Sequence, residues 1–252
     1  MRRINVIGIG AGDPEYVTVE AIKALNQTEV FFFTDKGDEK SDLLHLRNEI
    51  CERYAEGGRY RIVEMQDPSR NGSDRPYDEA VREWHENRVD LWEKTVESEL
   101  SDGQVGAFLV WGDPAFYDST LKILERVRIR GAFDFELDVI PGISAMQALA
   151  ARHKISLTRV GGALTVTTGR QLSGGWPEGA TDTVVMLDAH CSFRDLSDDM
   201  LIYWGAFLGT DDEILISGTI GECGEAIAKA RSTARERKGW MFDTYLLRMP
   251  ES

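Results

Sequence analysis

Two stretches that share a tripeptide decide the fold of this chain: VIGIGAGDPEYVT at residues 6–18 and VWGDPAFYDST at 110–120. In each, a run of apolar residues typical of a buried strand ends in Gly-Asp-Pro. Glycine permits positive φ or a close backbone approach, proline ends the strand, and the aspartate accepts hydrogen bonds from nearby amides. A third turn, PGIS at 141–144, follows another apolar run. One copy is ordinary turn chemistry, but three such turns predict a shared site.

Around these turns, apolar runs typical of strands alternate with segments of helical periodicity. The predicted strands are 4–9, 29–34, 60–65, 104–111 and 135–140, and the predicted helices are 18–25 with Thr18 as N-cap, 43–54, 77–100, 119–129 and 143–153. Such alternation favours an α/β fold with a parallel sheet and right-handed crossovers. Because open parallel sheets bind ligands outside the carboxyl ends of their strands, the three turns are expected at a binding edge.

The second half of the chain has a different pattern. Five strands follow at 163–170, 183–189, 201–208, 213–220 and 240–248, with one long helix at 222–237. Strands with few intervening helices favour an α+β domain with a mixed or antiparallel sheet. The sequence therefore predicts two domains, 1–158 and 159–252, and an exposed loop at 67–76.

Composition excludes several classes of partner. The chain has 252 residues, of which 42% are hydrophobic, and its 29 basic and 43 acidic residues give a net charge of −14. Nucleic acids and anionic membranes bind clustered Lys and Arg, so neither is expected as a partner. Three dispersed cysteines without metal-site spacing predict a reducing compartment and no metal. The apolar start is too short for a signal peptide, so a cytoplasmic location is expected.

The first glycine loop also suggests a dinucleotide site. Gly8, Gly10 and the later Asp35 have suitable spacing, but Asp13 stands where the third glycine belongs. A carboxylate at that helix entrance would repel a pyrophosphate. The dinucleotide hypothesis stays open as the weaker alternative.

Three blocks give a resemblance to a known family. GIGAGDPEYVTVEA (8–21), VWGDPAFYDST and VIPGISAMQALAARHKISLT (139–158) occur in the order and spacing of the tetrapyrrole methylase family. The resemblance implies a two-domain fold, with an N-terminal parallel α/β sheet and a C-terminal mixed-sheet α+β domain. It further implies an active site in the cleft between them and S-adenosylmethionine (SAM) as cofactor.

The family pattern also implies which residues bind the cofactor. Matched position by position, they are Ala11, Asp113, Phe116, Ser144, Ala145, Leu187, Asp188, Ala206, Thr219 and Ile220. The family often has methionine where Asp188 stands, which is a departure from its pattern.

A narrower resemblance concerns the reaction. GDPAFYDST, TTGR, VVMLDA and YWGAFLGTDDEILISGTI are similar to the branch of the family that methylates precorrin-5 at C-1 and releases acetate. The implied substrate is a polycarboxylate tetrapyrrole, with Gly10, Asp13, Arg152, Arg159 and Arg170 as expected substrate-binding residues. Candidates for the deacetylation chemistry are Tyr117, Asp118, Asp13 and Asp35, and the sequence does not choose among them.

Three alternatives to this function remain. In the first, the methyl acceptor is another precorrin carbon, such as C-11 or C-20. In the second, the acceptor is a protein side chain, as in diphthine synthase. In the third, the chain is a nucleotide-binding regulatory module without turnover. The family usually forms homodimers, so a homodimer is expected.

Overall fold

The computed structural model describes residues 1–35, 41–68 and 77–250, and its contacts divide the chain into two compact units. Unit 1 comprises Met1–Gly10 and Pro14–Ile143, and unit 2 comprises Ala11–Asp13 and Ser144–Ser252. The sequence placed the boundary between 158 and 159. The contacts group the helix before that point with unit 2 because it packs against strands of the second sheet. Most of the predicted loop 67–76 lies outside the described residues.

Unit 1 is a five-stranded sheet with helices. Its strands are β1 (Arg2–Gly8), β2 (Val30–Asp35), β3 (Arg61–Gln66), β4 (Val105–Val110) and β5 (Phe135–Ile140), and its helices are α1 (Val19–Gln27), α2 (Ser41–Tyr54), α3 (Tyr77–Glu99) and α4 (Thr120–Arg130). All strand pairs are parallel, in the order β3-β2-β4-β1-β5. The predicted α/β fold of this half is confirmed.

Local signals explain where two of these helices begin and end. The Thr18 hydroxyl accepts a hydrogen bond from the Ala21 amide at 3.0 Å, so Thr18 is the predicted N-cap of α1. Helix α4 ends at Gly131, whose φ of 70° is the left-handed conformation common after helices.

Both faces of the first sheet are buried. Phe32 packs with Trp92 and Leu124 on one face, whereas its neighbours Phe31 and Phe33 pack with the α1 and α2 side chains on the other. Alternation along β2 thus produces two cores, as expected for a parallel sheet covered by helices.

The order of strands fixes where a ligand would bind. From β1 the chain passes through α1 to β2, beyond β4, whereas from β4 it passes through α4 to β5, beyond β1. The connections leave the neighbouring strands β1 and β4 in opposite directions. This is a topological switch point, the place where open α/β sheets bind ligands.

Unit 2 contains the mixed sheet that the sequence predicted. Its strands are β6 (Leu164–Thr168), β7 (Asp182–Met186), β8 (Leu201–Ala206), β9 (Ile214–Thr219) and β10 (Asp243–Arg248), and its helices are α5 (Ala145–His153), α6 (Gly169–Leu172) and α7 (Ile220–Lys238). The order is β6-β7-β10-β8-β9, and only β6 and β7 pair in parallel. Two predicted strands end early: residues 169–170 begin α6, and residues 187–189 form a turn because Leu187 has a φ of 54°.

The register of the second sheet defines its two edges. Met186 pairs with Thr168 and Thr244, and Ala206 pairs with Asp243. The carboxyl ends of β6, β7 and β8 therefore lie at one edge, which we call the β7–β8 edge. No helix in the described ranges is long and apolar enough to cross a bilayer.

Candidate active site

The two Gly-Asp-Pro loops meet at the switch point of unit 1. The Gly10 amide donates to the Gly112 carbonyl at 3.2 Å, and the Gly112 amide donates to the Gly10 carbonyl at 2.7 Å. Both glycines have positive φ, 84° and 71°. Gly10, two residues before the first Gly-Asp-Pro, thus pairs with Gly112 of the second, directly after the neighbouring strands β1 and β4.

The third turn joins them through glycine. A Cβ atom added to Gly8 would lie 2.5 Å from the Gly142 nitrogen, and one added to Gly142 would overlap the Gly112 carbonyl oxygen. Backbone therefore touches backbone at Gly8, Gly112 and Gly142, where the chain leaves β1, β4 and β5. We call these residues the glycine contact.

Asp113 links the second loop to the third. Its Oδ1 accepts from the Ala115 amide and its Oδ2 from the Gly142 amide, both at 2.8 Å. Each carboxylate oxygen keeps further acceptor capacity because an ionised carboxylate has about four lone-pair sites. Asp113 is thus a fixed, half-buried acceptor at the ligand edge.

The residues after Asp113 differ in accessibility. The Phe116 amide donates to the Asp113 carbonyl at 3.2 Å, which closes the turn. Tyr117 has a φ of 51° and is 46% exposed, and partial burial raises the pKa of its phenol. Asp118 instead accepts from the Thr120 amide at 2.7 Å, at the start of α4.

Backbone strain marks similar positions in unit 2. Five described non-glycine residues have positive φ, and two of them, Lys154 and Cys191, are helix caps. The other three are Tyr117, Leu187 and Phe207, in the loops that follow β4, β7 and β8. Such a conformation costs roughly 1–3 kcal/mol and clusters at functional sites. Two of these loops contain the predicted cofactor residues Phe116 and Leu187, and the third begins directly after Ala206.

The turn after β7 is held by Asp188, whose side chain is buried. Its Oδ1 accepts from the His190 amide at 2.9 Å and the Ser192 hydroxyl at 3.0 Å, and its Oδ2 accepts from the Ser192 amide at 2.7 Å and the Tyr245 hydroxyl at 2.6 Å. Burial disfavours the ionised carboxyl, but these bonds outweigh it and lower its pKa. The Asp188 carboxylate is therefore occupied by structural partners, while Leu187 beside it is 58% exposed.

Arg231 on α7 supports the same turn, and sequence reasoning missed it. Its guanidinium donates to the Asp188 carbonyl and pairs with Asp243 at 2.8 Å, where burial raises the pKa of the Asp243 carboxyl. In sequence Arg231 is one of several basic residues on a long helix, so nothing local distinguishes it.

Comparison with models of protein families shows to which family the chain belongs. Residues 3–224 match the model of the tetrapyrrole (corrin/porphyrin) methylases, so the match includes both units. The chain belongs to the tetrapyrrole methylase family.

Individual relatives in this family are similar over nearly the whole chain. Precorrin-6A synthase [deacetylating] from Sinorhizobium sp. is 47% identical over 249 residues, which cover 98% of this chain and 95% of the relative. A solved structure of a putative cobalamin synthesis related protein (CobF) from Corynebacterium diphtheriae is 40% identical, covers 98% of both chains and has a TM-score of 0.86. Uroporphyrin-III C-methyltransferase from Thermus thermophilus, solved with S-adenosylhomocysteine, shares the fold at 16% identity and a TM-score of 0.59, over 97% of this chain and 96% of that one.

Two of the expected cofactor positions, Thr219 and Ile220, lie away from Ala206. Thr219 pairs with Leu201, at the start of β8, whereas Ala206 ends that strand. Six strand residues put about 17 Å between these ends. Thr219 and the following Ile220 therefore do not line one adenine-sized site with Leu187 and Ala206. Thr219 is the N-cap of α7, and its hydroxyl accepts from the Glu222 amide at 3.3 Å.

The three expected substrate-binding arginines of this tetrapyrrole methylase differ in their partners and exposure. Arg159 lies by the amino end of β7, where it pairs at 3.5 Å with the fully buried Asp182, a core carboxylate that Arg248 also pairs with, at 2.5 Å. Arg152 is exposed and pairs with Glu213 at 2.5 Å. Arg170 is exposed and follows β6 directly, at the β7–β8 edge. Arg170 keeps the placement that a substrate contact needs.

Three further predicted positions, Ala11, Asp13 and Ser144, are grouped with unit 2 by their contacts. Ala11 is buried and Asp13 half-buried, and Gly12 between them touches the Leu208 carbonyl so closely that no Cβ would fit. Ser144 is buried and begins α5, and Gln147 Oε1 accepts from both its amide and its hydroxyl at 2.9 Å.

Two further positions remain predictions. Ala145, the first residue of α5, is half-buried. Asp35 ends β2, and its side chain lies outside the described part of the structure.

Proposed function

We propose that this chain is a SAM-dependent C-methyltransferase of cobalamin biosynthesis that methylates precorrin-5 at C-1 and releases acetate to give precorrin-6A. The observation that carries the proposal is the 47% identity to precorrin-6A synthase [deacetylating] over 98% of the chain. The interlocked loops of unit 1 support it, because the backbone geometry that the family pattern requires is intact.

The donor set fits SAM. Asp113 offers a fixed carboxylate with free acceptor capacity, which suits the ribose hydroxyls or the ammonium group of the cofactor. Leu187 exposes an apolar side chain and Ala206 presents only a methyl group, a combination suited to packing against adenine. Within the described residues, no group of three His, Cys, Asp or Glu side chains is arranged to bind a metal ion.

When bound, SAM supplies an electrophilic methyl group. The chain's own contribution to methyl transfer is then orientation, since alignment of the reacting atoms alone removes a large part of such a barrier. In unit 1, Asp113 and the glycine contact supply fixed backbone and carboxylate groups for such orientation, and in unit 2 the strained Leu187 and Phe207 backbones do the same.

Deacetylation adds water to the acetyl carbonyl, after which the carbon–carbon bond breaks, the ring carbon keeps the electron pair and acetate leaves. A phenol keeps its proton at neutral pH because its ordinary pKa is about 10, and burial raises the pKa of Tyr117 further. It therefore suits donation to the acetyl oxygen rather than removal of a proton from water. Asp13, Asp35 and Asp118 remain the candidates for the base, and homodimer formation and a cytoplasmic location also remain predictions.

The first test is isothermal titration of the whole protein with S-adenosylhomocysteine and, separately, with NADH. We expect micromolar binding of the former and none of NADH. Asp113→Ala removes both loop hydrogen bonds and should weaken that binding at least tenfold, with thermal unfolding as the check on folding. NADH binding without S-adenosylhomocysteine binding would overturn the methyltransferase proposal in favour of a dinucleotide site.

Binding does not identify the acceptor, so the second test uses precorrin-5 and SAM. One acetate released per methyl transferred supports the C-1 deacetylating reaction. Methyl transfer without acetate indicates another acceptor carbon, and binding without turnover indicates a regulatory module.

A further inference from the structure

A cavity in unit 1 lies apart from the glycine contact. It has a volume of ≈ 40 Å³ and opens near the carboxyl ends of β2 and β4. Its polar lining residues are Thr34, Arg47, Arg88, Trp92, Asp118 and Thr120. Since a water molecule needs roughly 10–15 Å³ by this measure, the space suits about three waters or one group of about four non-hydrogen atoms.

Arg88 is the most buried cation of this lining, only 4% exposed. Its Nε lies 2.8 Å from Asp67 Oδ1, its Nη1 donates to the Ser119 hydroxyl at 2.7 Å, and its guanidinium stacks over Trp84 and Trp92. Burial lowers its pKa, and the nearby carboxylates of Asp67 and Asp118 oppose that shift. The Ser119 hydrogen bond and the two indole rings hold Arg88 at the cavity wall, whereas its Nε and Asp67 Oδ1 lie close together without a hydrogen bond.

Arg47 has fewer partners. Its Nε donates to the Leu109 carbonyl at 3.1 Å, and no described residue forms an ion pair or hydrogen bond with its two Nη groups. Burial lowers the pKa of Arg47, with Asp118 opposing from a distance. The terminal face of this guanidinium, with its four N–H donors, is thus available to an acceptor.

Trp92 provides an independent observation. Its ring is 1% exposed and lines the cavity, yet its indole Nε1 has no hydrogen-bond partner in the described part of the chain. A buried donor without a partner costs about 1–3 kcal/mol, so such groups normally have an acceptor. Asp118 is the only carboxylate among the described lining residues; its Oδ1 accepts from the Thr120 amide, and no hydrogen bond joins it to Trp92.

We propose that this cavity binds a two-carbon carboxylate, with Arg47 and the Trp92 indole as its donors. A guanidinium and a carboxylate form paired, charge-assisted hydrogen bonds, and the volume matches a group of acetate size. The identity of the ligand rests on the proposed function: it is either the released acetate or an acetate side chain of the substrate. The arginines of this cavity lie on α2 and α3 of unit 1, whereas those that the sequence singled out belong to unit 2.

The test measures binding of ¹³C-labelled acetate to the whole protein by ligand-observed NMR, with acetamide as a neutral probe of the same size. We expect acetate to bind and acetamide to bind far more weakly. Arg47→Gln should weaken acetate binding about tenfold or more, whereas Arg53→Gln, on the exposed face of the same helix, should leave it unchanged.

A second variant guards against misfolding of the first. Trp92→Phe keeps an aromatic ring but removes the N–H, and it should weaken acetate binding about threefold to tenfold. Equal binding of acetate and acetamide, or acetate binding unchanged in both variants, would overturn the proposal. If S-adenosylhomocysteine still binds in that case, the cavity proposal alone has failed and the proposed function stands.

Turnover then separates the two sources of the carboxylate, and both outcomes support the site. If acetate competes with precorrin-5 and Arg47→Gln raises KM, the ligand is the substrate's side chain. If Arg47→Gln leaves KM unchanged and weakens only the inhibition by added acetate, the ligand is the released product.

Discussion

The two units hold their candidate ligand edges mainly by different contacts. In unit 1, the glycine contact packs backbone on backbone, and the Asp113 carboxylate adds two hydrogen bonds. In unit 2, a Cβ atom at Gly169 would also overlap Asp188, but the turn after β7 is held chiefly by side chains: the Asp188 carboxylate accepts four hydrogen bonds, and Arg231 reaches from α7 to its carbonyl. Added volume should therefore disturb both edges, whereas loss of a carboxylate charge should disturb the edge of unit 2 more.

The largest effect is expected for added volume at the first edge. Gly142→Ala places a methyl group against the Gly112 carbonyl oxygen, which is backbone and cannot rotate away. We expect the free energy of unfolding to fall by about 3 kcal/mol, the upper end for overpacking, with a lower urea midpoint. S-adenosylhomocysteine binding should be lost with it.

Gly224→Ala is the matched control, because its added carbon would meet its nearest neighbour at an ordinary 3.6 Å. There the substitution lies within α7 and should stabilise by about 0.5–1 kcal/mol. Equal behaviour of the two variants would contradict the backbone-built edge.

Loss of the Asp188 charge is the next largest expected effect, because the turn after β7 depends on that carboxylate. Asp188→Asn leaves one acceptor oxygen for four donors, so we expect a loss of about 2 kcal/mol at pH 7. The pKa of Asp188 is lower in the folded chain than in the unfolded chain. Its contribution is therefore complete above about pH 4 and disappears as pH falls through the folded pKa.

Urea unfolding between pH 7 and pH 3 measures this dependence. The wild-type protein should lose stability at the acidic end more steeply than Asp188→Asn does. Asp211→Asn, at an exposed position of the same unit, should keep the wild-type profile. Parallel acid profiles for wild type and Asp188→Asn would show that the carboxylate does not hold the turn.

The smallest effect tests whether the carboxyl end of β9 lies outside the ligand edge of unit 2. Thr219→Ala removes the N-cap of α7 and should cost about 1 kcal/mol, as Thr18→Ala should at α1 in unit 1. Thr219 lies beside Leu201, at the end of β8 opposite to Ala206. The Thr219→Ala variant should therefore bind S-adenosylhomocysteine as tightly as the wild-type protein does. Weaker binding, measured by titration, would return Thr219 to the cofactor site.

What the sequence predicted depended on the range of each signal. The alternating pattern, the Thr18 cap and the three glycine turns are local, so the two-sheet fold and the edge at β1 and β4 were predictable. The direction of β9 relative to β8 has no local signal, which is why Thr219 was grouped with Ala206. Arg231 meets Asp188 only through tertiary packing, so its role was missed.

The same distinction applies to the arginines. Its place near the predicted domain boundary makes Arg159 a candidate substrate contact, but in the fold it shares the buried Asp182 with Arg248. Arg47 and Arg88 come from separate helices, and no spacing in the sequence relates them.

The position of Gly12 has a consequence for how the chain matures during synthesis. Residues 11–13 are grouped with unit 2, where Gly12 meets the Leu208 carbonyl, although they directly follow the first strand. At roughly 5–20 residues per second, a ribosome would deliver Leu208 on the order of ten to forty seconds after Gly12. The N-terminal loop therefore waits for most of the polypeptide, and a nascent chain halted before Leu208 would have all strands of unit 1 but an unfinished binding loop.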